Sequence, residues 1–300
     1  MSLPNKTRCG FAAIIGAPNA GKSTLLNTLL GQKLAIVSPK PQTTRTRILG
    51  ITVVGKAQIG LLDTPGIFDP KEKLDRAMVG AAWQALDEAN CILLMVDAAR
   101  GYDLKTQKIV AQLQKQERKA VLALNKIDQT AKPDILPLTQ ELSATGLFTD
   151  IFMISAKTGD GVATLKKHIA AAMPEGEWMF DPELVTDMPS SLVACEITRE
   201  QLYLQLSQEL PYAAAVIPTA WEDRKDGSVR IEQKIVVARD GQKAIVIGKG
   251  GAQLKKIGSE ARGELEKFFR RKVHLFLNVA VEPSWREQRG YYQMLGMTGK

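Results

Sequence analysis

Along the first 172 positions, apolar residues gather in short runs separated by stretches of helical spacing. The runs "GFAAIIG", "ILGITVV", "AQIGLLD", "CILLMVD", "AVLALNK" and "IFMISA" predict six strands. Between them, Ser23–Leu30, Lys73–Glu88, Leu104–Lys115, Asp134–Ala144 and Gly161–Ala172 predict helices. That alternation predicts an α/β domain with a mostly parallel sheet and helices on both faces. Only Gly55-Lys56 separates the second and third runs, so a hairpin and one antiparallel strand are expected there.

The pattern then changes. Met173–Ser191 carries three prolines and several acids, a composition that marks a boundary. The expected division is a first domain over 1–175, a linker over 176–190, and a second domain with a tail over 191–300. A helix from Ser190 or Ser191 leads into "YAAAVIPTAW" and the alternating "VRIEQKIVV", with Asp226-Gly227 between them as a hairpin turn. Leu254, Ile257, Ala261, Leu265 and Phe268 recur at three- and four-residue intervals and predict one apolar helix face. "VHLFLNVAVE" closes as a strand, giving a small α+β unit. "KAIVIG" reads as a strand by its β-branched residues. The closing "YYQMLGMTGK" supports no reading.

Composition narrows the setting. The chain is 45% hydrophobic and 24% charged, as ordinary globular proteins are. No apolar run approaches the ~18 residues of a membrane span, and "MSLPNKTRCG" lacks a signal core. Cys9, Cys91 and Cys195 are scattered, which predicts neither disulfides nor a metal site and points to a reducing, cytoplasmic compartment. The net charge of +8 is unevenly placed: residues 1–220 hold 23 Lys+Arg against 22 Asp+Glu, and residues 221–300 hold 17 against 10. Within Gly241–Lys272 the count is 9 against 3, which points to a polyanionic partner, nucleic acid before anionic membrane.

Four motifs carry chemistry. Gly16-Ala17-Pro18-Asn19-Ala20-Gly21-Lys22-Ser23-Thr24 follows a strand and opens a helix, as a phosphate cradle does. Its glycines admit backbone N–H groups to phosphate, Lys22 offers a point charge, and Ser23 offers a hydroxyl to Mg²⁺. Asp63-Thr64-Pro65-Gly66 ends a strand; Asp63 suits the metal shell and the Gly66 N–H suits a terminal phosphate. In "NKID", Asn125, Lys126 and Asp128 end another strand, and a carboxylate there accepts the two donors that guanine has and adenine lacks. Ser155-Ala156-Lys157 ends the next and presents an N–H to the guanine oxygen. Together they predict GTP and GDP as ligands, with Mg²⁺. In the second domain, Gly248-Lys249-Gly250-Gly251 forms a GxxG loop inside the basic segment. With Lys243, Lys255, Lys256 and Arg262 it makes a candidate RNA grip. His168 and His274 have no partner cluster and are expected to be structural or exposed.

The ordered set GAPNAGKST, PQTTR, DTPG, NKID and SAK resembles the Era family of translation-factor-related GTPases, over roughly residues 7 to 290. The resemblance implies a P-loop GTPase domain followed by a type II KH domain, and it makes "KAIVIG" a short helix, the reading adopted here. It makes "SPKPQTTR" the first switch loop, with Thr44 rather than Thr43 closing on Mg²⁺. Lys22, Thr44 and Gly66 then become the residues of hydrolysis. Ile67 stands where Ras-like switches place a water-orienting glutamine, so slow intrinsic turnover is expected. An asparagine at the position of Asn19 binds a potassium ion in related GTPases. Family membership implies binding of small-subunit (16S-type) ribosomal RNA near its 3′ end during ribosome assembly, by a monomer. Two rival readings are an RNA chaperone or scaffold for which GTP is only a sensor, and a peripheral-membrane GTPase using its basic patch on anionic lipid.

Overall fold

The computed structural model describes residues 6–40, 43–45, 47–70, 73–283 and 285. The chain gathers into two compact units, one of Met1–Ala35 with Thr44–Asp187, the other of Ile36–Thr43 with Met188–Lys300. Residues 176–187, within the expected linker, thus belong with the first unit. Gln58 is one reason: its side-chain oxygen accepts the N–H groups of Met179 and Phe180 at 2.9 Å.

In the first unit, β1 (Arg8–Gly16), α1 (Lys22–Leu30), β2 (Ile48–Val54), β3 (Ala57–Asp63), α2 (Lys73–Glu88), β4 (Cys91–Asp97), α3 (Leu104–Lys115), β5 (Ala120–Asn125), α4 (Lys132–Ser143), β6 (Phe148–Ile154) and α5 (Val162–Ala172) follow in order. The six strands form one sheet, β2-β3-β1-β4-β5-β6. Every residue of β3, β4 and β5 is buried, the expected state of parallel strands covered on both faces. β2 alone runs antiparallel, paired to β3 across the Gly55-Lys56 turn, and Gly55 takes the left-handed φ of +58° there. α4 begins two residues before the expected Asp134, because Pro133 fits a helix's first turn, where no N–H is needed.

Register decides where the chemistry falls. Ile14 pairs with Asp63, Gly16 with Met95, Asp97 with Asn125, and Asn125 with Ile154. The carboxyl ends of five strands therefore lie side by side, at the sheet edge where open α/β folds bind ligands.

The second unit contains α6 (Ser190–Gln205), α7 (Leu210–Ala213), β7 (Ala215–Asp223), β8 (Val229–Val237), α8 (Asp240–Ile247), α9 (Ala252–Phe269) and β9 (Val273–Val281). Its sheet is β7-β8-β9, with β8 antiparallel to β7 and parallel to β9. Alternation sorts the faces. Val216, Ile235, Val237 and Val279 meet Leu202, Val246 and Ile257 of the helices, while Ala215 and Val236 face away and meet Trp285. Pro218 lies in β7, an edge strand, and the pairing with β8 shifts register just after it, between Pro218 and Ala220, the edge-and-bulge setting in which a strand tolerates proline.

"KAIVIG" is helical, within α8, against its strand propensity. The side chain of Gln242 folds back to accept the N–H groups of Ala238 and Arg239, at 3.0 and 3.1 Å, closing the helix start. Val246 is buried and Ile245 exposed, a one-sided pattern that helical spacing delivers. The segment 286–300, with its closing "YYQMLGMTGK", lies outside the described residues. The three cysteines are free and buried, and the described residues hold no group of three or more His, Cys, Asp or Glu placed to share a metal ion. Among them, no helix is long and apolar enough to cross a membrane.

Candidate functional site

The loop between β1 and α1 is built around two glycines that no other residue could replace without displacement. A Cβ on Gly16, at φ +151°, would lie 2.5 Å from the Met95 carbonyl oxygen. One on Gly21, at φ +100°, would lie 2.2 Å from the Asn125 side-chain nitrogen. Between them Ala17, Pro18, Asn19 and Ala20 complete the turn, with Asn19 itself left-handed at φ +65°. Lys22, Ser23 and Thr24 form the first turn of α1. The Lys22 ammonium is buried and donates to the carbonyls of Gly16 and Ala17 at 3.2 and 3.1 Å. Burial pushes its pKa down to about 8, against the pull of Asp63. A buried cation with only two neutral acceptors suits a bound polyanion.

Asp63 ends β3, fully buried. Its Oδ2 accepts from Ser23 at 2.8 Å and from Thr44 at 2.9 Å, and those two hydroxyls lie 2.9 Å apart. Among the described residues its Oδ1 has no hydrogen-bond partner. Burial raises the Asp63 pKa, and Lys22 and the two hydroxyls work against that shift. Three oxygens around one orphaned, buried carboxylate oxygen form a hard-donor set that fits Mg²⁺. Thr44 lies beside Ser23 and Asp63 in this set. Thr43, by contrast, belongs to the segment held by the second unit, with its carbonyl accepting from Arg199 at 2.6 Å.

The Thr64 hydroxyl donates to the Ile14 carbonyl at 2.8 Å, and the Ile67 N–H donates to Gly16 at 3.1 Å. Pro65 and Gly66 are thereby laid against the cradle, so closely that a Cβ on Gly66 would meet Pro18 atoms at 2.9–3.0 Å. Ile67 packs in the core beside Ala13 and Ile15.

Asn125 ties three motifs together. Its amide donates to the Ala20 carbonyl at 2.8 Å and accepts the Ala156 N–H at 2.9 Å. Asp128 is exposed, and the Ser155 hydroxyl holds its carboxyl below the ordinary range, with a smaller pull from Lys157. Lys126 takes the left-handed conformation at φ +67° and donates to Asp97 at 2.6 Å. Asp97 was not singled out in the sequence, although it too is a carboxylate ending an apolar strand.

In the second unit, α8 ends at Gly248 with φ +74°; Lys249 follows, and Gly250 and Gly251 are also left-handed at +59° and +81°. A Cβ on Gly248 would fall 2.6 Å from that of Gln253, whereas Gly250 and Gly251 face open space. The loop exposes backbone directly before the N-terminus of α9, a place suited to phosphate. Lys249, Lys255, Lys256 and Arg262 are exposed, and Lys243 is half-buried. Lys255 and Arg262 share a helix face two turns apart. Ile245 on α8 is an exposed apolar residue, at 59%. His168 lies 3.5 Å from Asp150, a single acidic neighbour rather than a cluster.

Comparison with known proteins agrees with this geometry. A family model described as a 50S ribosome-binding GTPase matches residues 11–126, and a KH domain model matches residues 209–286. The chain is 50% identical to GTPase Era of Caulobacter vibrioides, with 98% of this chain and 97% of that one covered. It is 48% identical to GTPase Era of Maricaulis maris over 97% of each. Among solved structures it is similar to Aquifex aeolicus Era with one substitution, bound to GDP and AlF4⁻, at 40% identity and a TM-score of 0.91. The alignment covers 97% of this chain and 99% of that one. The same identity, coverage and TM-score hold for Era in complex with MgGDPNP and nucleotides 1506-1542 of 16S ribosomal RNA. With a glycine-built cradle, the Ser23, Thr44 and Asp63 oxygens beside it and a GxxG loop in one chain, and relatives matched over nearly its whole length, this protein is a member of the Era family of GTPases.

Proposed function

We propose that this GTPase is a switch that grips small-subunit (16S-type) ribosomal RNA near its 3′ end and acts in assembly of the small ribosomal subunit. The carrying observation is that Ser23, Thr44 and Asp63 converge within 2.9 Å in a chain that also presents an open GxxG loop. Support for the RNA comes from the 40%-identical Era structure that holds nucleotides 1506-1542 of 16S ribosomal RNA. The 50S description belongs to a model that matches only the GTPase half and does not reach the RNA module.

In this reading residues 1–175 form the switch, 176–190 the connector and 191–300 the RNA module. The backbone from Gly16 to Thr24 cradles the phosphates, Lys22 meets the outer ones, and Ser23, Thr44 and Asp63 would hold Mg²⁺. That ion neutralises charge on the transferring phosphoryl group. The Gly66 N–H meets the terminal phosphate. Thr64 and Pro65 hold that N–H in place. Asp128 reads the base, while Asn125, Lys126, Ser155, Ala156 and Lys157 shape its seat. With Ile67 buried, no side chain next to Gly66 orients the attacking water, so intrinsic turnover is slow and a partner accelerates it. Gly248, Lys249, Gly250 and Gly251 clamp about four nucleotides, and Lys243, Lys255, Lys256 and Arg262 contact phosphates.

The protein works as a cytoplasmic monomer. RNA is favoured over an anionic membrane surface because Ile257, Ala261 and Leu265, the apolar face of α9, are buried within the module. The scaffold reading differs in one respect: a scaffold keeps its cellular role when turnover is removed. The test is RNA affinity for a 3′-terminal small-subunit fragment, with a GTP analogue and with GDP, at two salt concentrations. The expected outcome is two different affinities, both weakening with salt because releasing counterions from the RNA gains less in a more concentrated solution. Equal affinities whichever nucleotide is loaded would overturn the switch.

A further inference from the structure

The loop after β4 is not one of the nucleotide motifs, yet it is built onto both ends of the nucleotide site. Asp97 is 7% exposed and sits between Asn125 on β5 and the turn that follows it. Its Oδ2 receives the Lys126 ammonium at 2.6 Å and lies 3.5 Å from the Arg100 Nε. Its Oδ1 accepts the Ala99 N–H at 3.1 Å, and its carbonyl accepts the N–H groups of Arg100 and Gly101 at 3.0 and 3.2 Å. Those bonds close Asp97–Gly101 into a turn, with Gly101 left-handed at φ +68°. Ala98 fastens it to the Asn125 carbonyl at 2.9 Å. The turn directs Arg100 to the cradle, where its Nη1 lies 3.4 Å from the Pro18 carbonyl oxygen.

A continuous path of charged groups therefore runs from the base-reading turn, through Lys126, Asp97 and Arg100, to the outer wall of the phosphate cradle. We propose that Asp97 and Arg100 are positioning residues of the nucleotide site. They brace the guanine-reading turn against the cradle and so set how long a guanine nucleotide stays bound. The physical case is preorganisation. Lys126 holds a left-handed backbone that a non-glycine residue adopts at a cost, and its ion pair with nearly buried Asp97 keeps it there. Asn125 already links the same two regions through the Ala20 carbonyl. Arg100 adds a second, independent attachment at Pro18, on the other half of the cradle turn. A nucleotide engages base and phosphate seats at once, so a fixed distance between the seats lowers the ordering cost of binding.

The experiment is the dissociation rate of a fluorescent GDP from the full-length protein, with the thermal midpoint of the nucleotide-free protein measured alongside. Asp97→Asn should speed release about tenfold, the scale of one charge-assisted bond. Arg100→Ala, at a half-exposed site, should speed it about threefold, and Arg100→Lys should restore part of that loss. The double variant Asp97→Asn with Arg100→Ala should release GDP no faster than Asp97→Asn alone, because both act through one brace. The nucleotide-free midpoint of the Arg100 variants should stay that of the unaltered protein. Unchanged release in Arg100→Ala would overturn the proposal, as would effects that multiply in the double variant or that follow the nucleotide-free midpoint. Should Asp97→Asn fail to fold, the Arg100→Ala and Arg100→Lys pair decides by the same criteria.

Discussion

Asp128 shows how one carboxylate sets nucleotide choice. Guanine offers N1–H and an exocyclic amine as adjacent donors, and an ionised carboxylate accepts both. An amide at that position offers one acceptor and one donor, a match for xanthine. Asp128→Asn should therefore reverse the preference from guanosine to xanthosine diphosphate, read as competition against a labelled guanine nucleotide. Because Ser155 depresses the Asp128 pKa, the unaltered residue stays ionised down through the usual carboxylate range. Protonation would remove its acceptor only at a pH below the ordinary aspartate range. Guanine preference should then be flat from pH 8 to pH 5; a loss within that window would remove Asp128 from the role. Asn19 poses a second question at this scale. Its left-handed φ of +65° is a conformation asparagine tolerates and most residues resist. If its side-chain oxygen helps seat a potassium ion, hydrolysis should run several-fold faster in potassium than in sodium, and Asn19→Ala should erase the difference. Equal rates in the two salts would leave Asn19 with only its turn. Asp128 could be singled out in the sequence because residue type and strand-end position go together there, whereas Asn19 drew notice only through the family resemblance. Asp97 and Arg100 were not legible there, since a carboxylate and a guanidinium near a strand end resemble any solvated turn until their partners are placed.

Elements were readable where hydrophobic period and local propensity agree. β3, β4 and β5 are wholly buried and read as mainly apolar runs that end in a polar residue, and α9 buries Ile257, Ala261 and Leu265 at helical intervals. α8 is the instructive exception. Lys243–Gly248 is rich in β-branched residues, and nothing in that hexapeptide announces a helix. What decides it lies outside: Gln242 caps the start, Gly248 ends it by donating to the Ala244 carbonyl at 2.8 Å, and Val246 enters the module's core. A helix whose residues prefer another state should depend heavily on its cap. Gln242→Ala is expected to lower the module's stability by about 1 kcal/mol, seen as an earlier unfolding transition. RNA affinity should fall with it, because the GxxG loop follows α8 directly. A stability unchanged within ~0.3 kcal/mol would mean that burial of Val246 alone holds the helix.

At the scale of the molecule, the division of the chain is not the one a linear reading gives. Ile36–Thr43 gathers with the second unit although it lies between α1 and β2 of the first. The bonds responsible all end on one helix and the residues after it. The Val37 N–H donates to Glu200 at 3.1 Å, the Lys40 ammonium donates to the carbonyls of Tyr203 and Leu206, and Arg199 donates to Thr43. No motif could reveal this, because a loop's partner is set by tertiary burial rather than by its own spacing. The next residue, Thr44, bonds to Asp63. The peptide bond from Thr43 to Thr44 is thus where a segment held by the RNA module becomes part of the magnesium-ready site. If that continuity transmits nucleotide state, weakening the hold on Ile36–Thr43 should reduce the transmission without removing either activity. Arg199→Ala is a poor probe, because Arg199 is itself buried and paired with the partly exposed Glu196, so its loss would disturb the packing of α6 as well as the bond to Thr43. Lys40→Ala removes two bonds to backbone carbonyls and leaves no buried charge behind. Its expected effect is on a ratio: RNA affinity with a GTP analogue divided by that with GDP should move towards one. Affinity in the GDP state and guanine nucleotide binding itself should be nearly unchanged. A ratio equal to that of the unaltered protein would show that the segment is held by the RNA module without carrying its signal.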